Sequence, residues 1–192
     1  MAAKKELRAT YRLQRAALSE QTIARWDDLM LIQFQQAGIA IGEWILTYAA
    51  MAQMQEFDPI WVTDYCKFQQ PQCKLAYPVI DEKTTSNEMQ CKYASDETEF
   101  VLNRYKIAEP ISDIIVSPQD LDMVIVPLLC FDQNGFRVGY GKGYYDRLLA
   151  QCRSNCLFIG FSYFAPVEKI KDVNQWDIPL HLVITPEKTY RF

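Results

Sequence analysis

Residues 123–147 of this chain read MVIVPLLCFDQNGFRVGYGKGYYDR. The opening part, 123–131, is an apolar run that leads into turn residues, which is typical of a strand buried in the middle of a sheet. Asn134 and Gly135, which follow Asp132, give the strongest turn signal in the chain because both residues tolerate positive φ. The stretch therefore predicts a central strand that runs into a tight turn.

A glycine-rich segment follows that turn. Gly139, Gly141 and Gly143 alternate with Tyr140 and Lys142, and a helix is predicted from about residue 143 to 151. Glycine backbone can approach a ligand closely, and its N–H groups together with a helix N-terminus favour phosphate. Lys142 adds a cation among those donors. The segment therefore predicts a phosphate-binding loop.

Two charged side chains flank this loop. Arg137 lies just upstream, and Asp146, one turn into the predicted helix, is a carboxylate of the kind that holds a divalent metal on phosphate oxygens. The spacing matches neither a GxxxxGK[ST] loop nor a GxGxxG placed directly after the first strand. On these residues alone, a glycine-rich turn whose tyrosines pack in the core therefore remains an alternative.

The rest of the chain alternates predicted helices with predicted strands. Ser19 is a good N-cap for the second helix, which Gly38 can terminate, and Asp58 with Pro59 starts the third. Residues 103–120 show little periodicity and indicate a long surface segment. The alternation predicts an α/β layered fold with a largely parallel sheet. The predicted helices cover 4–18, 20–37 and 58–68, the predicted strands cover 43–50, 74–80, 89–94, 156–161 and 181–185, and a polar loop covers 81–88.

Length and composition exclude several classes of protein. The chain has 192 residues, 49% of them hydrophobic and 23% charged, with a formal net charge of −4. This size predicts one domain over residues 1–192 with a core that needs no disulfides. The apolar content excludes disorder, and no apolar run approaches the ~20 residues that a membrane span requires. The acidic balance argues against a protein that coats nucleic acid.

Cysteine usage indicates the compartment. The chain has six cysteines, one histidine and no CxxC pair. Since no signal peptide is predicted and a chain of this length needs no disulfides, the cysteines are expected to be reduced in a cytoplasmic protein. Zinc lacks a ligand set with the usual spacing.

The first predicted helix carries a basic stripe, formed by Lys4, Arg8, Arg12 and Arg15 on one face. A solvated helix face explains the stripe as well as a ligand site does. A third interpretation is an RNA-binding helix, but the net charge and the absence of an aromatic-studded sheet motif argue against it.

The whole string from Val126 to Arg147 resembles the signature of the 5-formyltetrahydrofolate cyclo-ligases, the 5,10-methenyltetrahydrofolate synthetases. In that family a hydrophobic strand runs into FDxxGxRxGxGxGxYD. The opening KKELR resembles the family's basic N-terminal helix, and WDIPLHLVIT resembles its closing segment. The matching residues are Phe131, Asp132, Gly135, Arg137, Gly139, Gly141, Gly143, Tyr145 and Asp146.

The resemblance implies a ligase that depends on ATP and Mg²⁺. The family phosphorylates the formyl oxygen of 5-formyltetrahydrofolate, and the folate's 10-nitrogen then attacks the activated carbon to give the 5,10-methenyl bridge, ADP and phosphate. It also implies a three-layer α/β/α fold of the sugar-phosphate isomerase and CoA-transferase type. The partners would be the folate and ATP, with no nucleic acid and no membrane, and we expect a monomer. Because the resemblance begins at Lys4, we expect almost no room for a removable transit peptide.

The resemblance also assigns roles residue by residue. Arg137 and Lys142 would be the catalytic cations at the γ-phosphate. ATP would contact Lys4, Arg8, Arg137, Gly139, Gly141, Lys142, Gly143 and Tyr145, the folate would contact Met51, Glu56, Tyr140 and Tyr144, and the metal would be held by Asp146 and Asp177.

Some positions leave alternatives open. Arg12 and Arg15 are expected to be surface residues, and Glu56 also suits a charge placed before a helix N-terminus. Near His181 the family has a second acidic residue, which puts the second metal carboxylate in question; His181 itself is expected to face solvent at a strand start. A non-catalytic folate- or nucleotide-binding protein of the same fold is the alternative function.

Overall fold

The computed structural model describes residues 1–80 and 89–192, so the polar loop predicted at 81–88 lies outside the described residues. In these described residues there are four α-helices and twelve strands, eight of which form one large mixed sheet. The helices are α1 (Lys4–Ala16), α2 (Glu20–Gln36), α3 (Ile60–Gln69) and α4 (Tyr144–Leu149). The strands are β1 (Trp44–Leu46), β2 (Lys74–Ile80), β3 (Met89–Ala94), β4 (Phe100–Leu102), β5 (Ala108–Pro110), β6 (Ile115–Val116), β7 (Met123–Val126), β8 (Cys130–Phe131), β9 (Arg137–Val138), β10 (Leu157–Phe161), β11 (Leu182–Ile184) and β12 (Thr189–Arg191).

The main sheet has eight strands in the order β12-β11-β10-β7-β1-β2-β3-β6. Its middle is parallel, because β11, β10, β7, β1 and β2 all run the same way. The antiparallel strands β12, β3 and β6 lie at the edges. This arrangement confirms the predicted α/β fold with a mostly parallel sheet.

Helices cover both faces of the sheet, and the alternation of side chains along the strands decides which residues each face buries. Ile125 and Ile159 pack on the side of Met30 and Phe34 from α2 and Val62 from α3. Alternate residues of the central strands face the other way, into a second cluster with Leu148 and Leu149 of α4. These residues are Leu46, Val124, Val126, Phe158 and Val183. The three layers follow from this alternation.

The predicted helix starts are confirmed within a residue or two. The Ser19 hydroxyl accepts a hydrogen bond from the Thr22 N–H at 3.1 Å, as an N-cap does. At α3 the cap is Pro59, and the Asp58 carboxylate accepts from the Ile60 N–H at 3.1 Å. None of the helices in the described parts of the chain has the length and apolar character that a membrane crossing requires.

The predicted strand over 123–131 is wrong in its extent. β7 ends at Val126, and Pro127, which has no N–H for the ladder, separates it from β8. β8 pairs with β9 in a separate two-stranded ribbon. The turn prediction is confirmed: Gly135 has a φ of 82°, and the Asp132 carboxylate accepts hydrogen bonds from the N–H groups of Asn134 and Phe136.

Two other regions depart from the predictions. The long surface segment predicted over 103–120 contains β5, β6 and a short 3₁₀ helix, Pro118–Asp120, and β5 pairs with β4. A further edge strand, β12, follows the one predicted as the last. These strands have two or three residues each, which is too short for a periodic pattern to appear in the sequence.

Candidate functional site

A cleft of about 680 Å³ lies beyond the carboxyl ends of β1 and β7, the place where parallel α/β sheets bind ligands. The chain that leaves β1 supplies one wall, and the glycine-rich segment after β9 supplies another. Every residue predicted for the site lines this one cleft: Lys4, Arg8, Met51, Glu56, Arg137, Gly139, Tyr140, Gly141, Lys142, Gly143, Tyr144, Tyr145, Asp146 and Asp177. Residues from both ends of the chain therefore converge on it.

The glycine-rich segment needs its glycines for backbone conformation and for space. Gly141 and Gly143 have φ values of 89° and 68°, which side chains rarely adopt. A Cβ atom on Gly141 would lie 2.9 Å from Nη2 of Arg8. Between these glycines Lys142 is exposed at the cleft, and within the described residues its ammonium has no ion-pair partner.

Helix α1 brings two cations to the cleft, one onto this segment and one onto Asp177. The Arg8 guanidinium donates from Nε to the Gly139 carbonyl at 2.9 Å. The Lys4 ammonium donates to Oδ2 of Asp177 at 2.5 Å. Both contacts join the first residues of the chain to its second half, so the basic face of α1 is part of the cleft rather than a solvated surface.

The two predicted metal carboxylates are each engaged on one oxygen. Oδ1 of Asp146 accepts from Arg137 Nη2 at 2.9 Å and from the Ile178 N–H at 3.2 Å. Oδ2 of Asp177 accepts from Lys4 and from the Asn174 N–H at 2.7 Å. Across residues 1–80 and 89–192, no cluster of three or more metal-ligating side chains forms, and the second oxygen of each carboxylate accepts no hydrogen bond.

This donor set fits Mg²⁺ rather than a metal held by protein alone. Mg²⁺ is usually bound through one or two carboxylates, with water and substrate phosphates completing its shell. Asp146 and Asp177 both line the cleft, so two carboxylates are available there for such a metal.

Arg137 is more deeply buried than its predicted role requires. Its side chain is 5% exposed, and its two terminal nitrogens donate to the Asp146 carboxylate and, at 2.6 Å, to the Ile178 carbonyl. Burial lowers the pKa of the guanidinium, and the neighbouring Asp146 carboxylate opposes that effect. The contacts hold Arg137 beside Asp146, at the edge of the cleft.

Glu56, which also lines the cleft, sits in a hydrogen-bonded network. Its Oε2 accepts from the Met51 N–H at 2.8 Å, and its Oε1 accepts from the Tyr140 hydroxyl. Burial raises the pKa of the Glu56 carboxyl, while the bonds from Tyr140 and Met51 and the charge of Arg15 lower it. The site therefore combines several cations with the buried carboxylate of Glu56.

Comparison with known proteins decides the family. The model of the 5-formyltetrahydrofolate cyclo-ligase family matches residues 1–186. The chain belongs to that family. The resemblance inferred from the glycine-rich string is thereby confirmed.

The named proteins that this chain resembles are also cyclo-ligases or methenyltetrahydrofolate synthetases. The Escherichia coli K12 5-formyltetrahydrofolate cyclo-ligase is 34% identical over 122 residues, which are 62% of this chain and 66% of that protein, just under two thirds of its length. The NMR structure of Aquifex aeolicus 5,10-methenyltetrahydrofolate synthetase superposes with a TM-score of 0.78 at 26% identity, covering 98% of this chain and 92% of that one. The Mycoplasma pneumoniae 5,10-methenyltetrahydrofolate synthetase, at 24% identity, shares the fold with a TM-score of 0.71, covering 95% of this chain and 98% of that one.

Two side chains of this cyclo-ligase family member lie elsewhere than predicted. Arg15, expected at the surface, is 4% exposed because α1 packs it against Leu128 and Tyr140. His181, expected to face solvent, is half-buried: its Nδ1 accepts from the Phe158 N–H at 2.9 Å, and burial lowers its pKa. His181 does not line the cleft, so its side chain is not placed to act as a metal ligand.

Sequence reasoning also missed part of the cleft wall. Three further residues line the cleft, from the segment that joins β4 to β5 and from β5 itself: Asn103, Tyr105 and Glu109. Asn103 Nδ2 donates to Glu109 Oε1 at 2.8 Å, which closes this loop on itself. Tyr48 also lines the cleft, and its hydroxyl donates to the Phe57 carbonyl at 2.9 Å. The loop had no sequence signal, whereas Tyr48 lies in the stretch predicted as a strand over 43–50.

Proposed function

We propose that this protein converts 5-formyltetrahydrofolate to 5,10-methenyltetrahydrofolate, with ATP converted to ADP and phosphate. The observation that carries the proposal is the convergence, in one cleft, of the glycine-rich segment with its cations and of Glu56 with its tyrosine. Membership of the cyclo-ligase family supports it. No observation favours the non-catalytic binder.

Beside the glycine-rich segment the chain would hold ATP by position and charge. An amide oxygen is a weak nucleophile, so its attack on the γ-phosphorus depends on alignment and on neutralising the charge of the phosphate. Lys142 is the exposed cation of the glycine-rich segment. From α1, Arg8 contacts Gly139 of that segment and Lys4 lines the cleft beside Asp177. The backbone of Gly139, Gly141 and Gly143 would approach the phosphates, and Tyr145 would line the same wall.

Arg137 would act indirectly, through the Asp146 carboxylate. Because its terminal nitrogens are engaged by Asp146 and by the Ile178 carbonyl, we assign it to holding the Asp146 carboxylate in place beside the phosphates. Mg²⁺, held by the carboxylates of Asp146 and Asp177, would supply additional neutralisation of phosphate charge.

Glu56 would orient the folate in the same cleft. Ring nitrogens of a reduced pterin are donors, and a buried carboxylate is a strong acceptor for them. Met51 and Tyr144 would form walls beside it, and Tyr140 would contact both the folate and Glu56. With the formyl group fixed, the folate's 10-nitrogen would attack the activated carbon and lose its proton to solvent, and phosphate would leave with the former formyl oxygen.

The remaining expectations are part of the same proposal. We infer one catalytic domain over residues 1–192 that works as a monomer in the cytoplasm, with the folate and ATP as its partners. The net charge of −4 supports the absence of a nucleic-acid partner, and six free thiols suit a reducing compartment. Light scattering on the purified protein tests the oligomeric state.

An optical assay tests the activity directly. The protein is mixed with 5-formyltetrahydrofolate, ATP and Mg²⁺, and the near-ultraviolet band of the methenyl product is followed. We expect ATP-dependent growth of this band that stops when magnesium is chelated. A flat trace from folded protein that still binds ATP and the folate in separate calorimetric titrations would instead establish the non-catalytic binder.

A further inference from the structure

We propose that Arg15 is a positioning residue that acts through Tyr140 to fix the Glu56 carboxylate for its ligand. This inference rests on the proposed function for the identity of that ligand. Arg15 does not line the cleft. It would therefore act on the folate only through the two side chains between them.

The contacts form a continuous chain from α1 to the cleft. Arg15 is 4% exposed, and its Nη2 donates to the Tyr140 hydroxyl oxygen at 2.6 Å. Its Nη1 donates to the Leu128 carbonyl at 3.3 Å. The Tyr140 hydroxyl in turn donates to Oε1 of Glu56. A buried guanidinium is thus linked to a buried carboxylate by a single phenol.

The direction of each hydrogen bond follows from the donor inventory. Arginine only donates, so the Tyr140 oxygen must accept from Arg15. Tyrosine has one hydroxyl proton, and with its oxygen committed as an acceptor that proton is given to Glu56. The Glu56 oxygen must therefore accept, which favours the ionised carboxylate. With Oε2 accepting from the Met51 N–H, each oxygen keeps a lone pair for a donor in the cleft.

The turn that follows α1 reaches the residue before Glu56. Gln55 is a non-glycine residue in the left-handed region, with φ 48° and ψ 42°. Its Nε2 donates to the carbonyl of Leu18, two residues after the end of α1, at 3.3 Å. Strained residues of this kind persist where the surrounding structure holds them. Arg15 of α1 thus contacts the glycine-rich segment, and the turn after α1 contacts the residue before Glu56.

The electrostatic surroundings give Arg15 a measurable effect on Glu56. Tyr48, Tyr140 and Tyr145 are the titratable groups that face the carboxyl with Arg15. Burial raises the pKa of Glu56, and among the described residues Arg15 is the cation that opposes this rise. Loss of the Arg15 charge should therefore make Glu56 easier to protonate.

The first experiment measures Glu56 itself. The ¹³Cδ resonance of Glu56, assigned with Glu56→Gln, is titrated in wild type, Arg15→Met, Arg15→Lys and Arg25→Met, the last an exposed arginine of α2 as the control. We expect Arg15→Met to raise the Glu56 pKa by about one unit, Arg15→Lys to raise it less, and Arg25→Met to leave it unchanged. An unchanged titration in folded Arg15→Met would overturn the proposal.

The second experiment separates positioning from general stability. Arg15→Met is expected to weaken 5-formyltetrahydrofolate binding about tenfold and ATP binding less than twofold, with partial recovery in Arg15→Lys. Adding Arg15→Met to Tyr140→Phe should cost little further affinity, because the hydrogen-bonded link from Arg15 to Glu56 is already broken. Equal losses for both ligands, or additive losses in the double variant, would contradict a role through Tyr140.

Two features keep these tests decisive. If Arg15→Met does not fold, Arg15→Lys and Tyr140→Phe carry the same comparison: both should shift the Glu56 titration upward, and no shift in either would overturn the proposal. The titration is also independent of turnover. A wild-type protein without methenyl product would refute the proposed function while the Arg15 effect on Glu56 remained measurable.

Discussion

Arg137 and Asp146 form an ion pair across the base of the glycine-rich segment, with Arg137 Nη2 2.9 Å from Asp146 Oδ1. Arg137 lies in β9, just before the segment, and Asp146 lies in α4, just after it. The pair therefore joins the two ends of the loop that would contact ATP. Asp146 has a structural task besides the metal-binding one that the sequence indicated.

Asp146→Asn should therefore lose stability as well as turnover. Asparagine keeps the acceptor for Arg137 and for the Ile178 N–H, but it leaves the buried guanidinium without an anion. We expect the free energy of unfolding to fall by about 1–3 kcal/mol, and the melting temperature to fall by several degrees. Calorimetry and the methenyl assay measure the two effects. Loss of turnover with an unchanged melting temperature would show that the ion pair contributes nothing to the fold.

Asp177→Asn provides the matched comparison. Its partner, Lys4, lies at the start of α1, and its flexible side chain can move the ammonium into water. We expect turnover to fall as in Asp146→Asn, but the free energy of unfolding to fall by less than about 1 kcal/mol. A larger loss of stability than in Asp146→Asn would contradict this assignment.

Lys142→Ala should remove most turnover and leave the fold intact. The ammonium is exposed and, in the described part of the chain, unpaired, so its removal leaves no buried group unsatisfied. We expect kcat/KM for ATP to fall by about 100-fold, with the free energy of unfolding within about 0.5 kcal/mol of wild type. Lys169→Ala, an exposed lysine outside the cleft, is the control. Near-full activity of Lys142→Ala would remove Lys142 from the site.

Gly141→Ala and Gly139→Ala should differ although they lie two positions apart. At Gly141 an alanine would have a φ of 89° and a Cβ against Arg8. At Gly139, apart from its chain neighbours, no atom of the described residues lies within 4 Å of the new Cβ. We expect Gly141→Ala to lower the free energy of unfolding by about 1–2 kcal/mol, and Gly139→Ala to leave it unchanged. Thermal melts measure both. Equal melting temperatures would show that the loop relaxes around the substitution.

If Gly139→Ala keeps its melting temperature but binds ATP less tightly, the loss reports a close approach of the nucleotide to the backbone. Titration calorimetry of the two variants with ATP separates this contact from backbone strain. Wild-type ATP affinity in Gly139→Ala would place the phosphates away from that residue.

Asp27, which lies outside the cleft, should make the stability of the protein depend on pH. Its Oδ1 accepts from the Tyr163 hydroxyl at 2.8 Å, and burial raises its pKa from the ordinary 3.8 to about 6. Because the folded pKa is the higher one, this group's stabilising contribution is complete below pH 3.8 and is lost as pH rises through about 6.

Asp27→Asn should therefore stabilise the protein above pH 7. Asparagine still accepts from Tyr163, and it removes a charge that the fold disfavours. Allowing for its partial exposure, we expect a gain of about 1 kcal/mol in the free energy of unfolding at pH 8 that disappears below about pH 4. Denaturant melts at several pH values measure it, with the exposed Asp64→Asn as control. A gain that does not vary with pH would contradict the titration of Asp27.

Local signals in the sequence predicted those elements whose cause is local. β2 and β3 occupy the predicted 74–80 and 89–94, because each has enough residues to show its character between turn residues. Ser19 caps α2, and Asn134-Gly135 forms the predicted turn, because both depend on atoms a few positions away. The strand predicted over 123–131 runs too far, because the apolar character of the sequence continues past Pro127, after the strand β7 has ended.

The site shows the same division. The spacing of the glycines, of Arg137 and of Asp146 identified the family before any geometry was available, and all the predicted site residues do meet in one cleft. The basic stripe of α1 was visible too, but which of its members is buried was not. Arg15 is enclosed by Leu128 and Tyr140, which are 113 and 125 positions away.

By itself, then, the sequence determined the family, the turn, the caps and the residue types that the cleft would contain. Only the tertiary structure decided which polar side chains meet: Lys4 with Asp177, 173 positions apart, and Tyr140 with Glu56, 84 positions apart. The physical reason is that caps and turns are stabilised by neighbours along the chain. Burial, by contrast, removes a side chain from water only when distant elements pack around it. That packing leaves Arg15 buried, Asp146 paired and Lys142 exposed at the cleft.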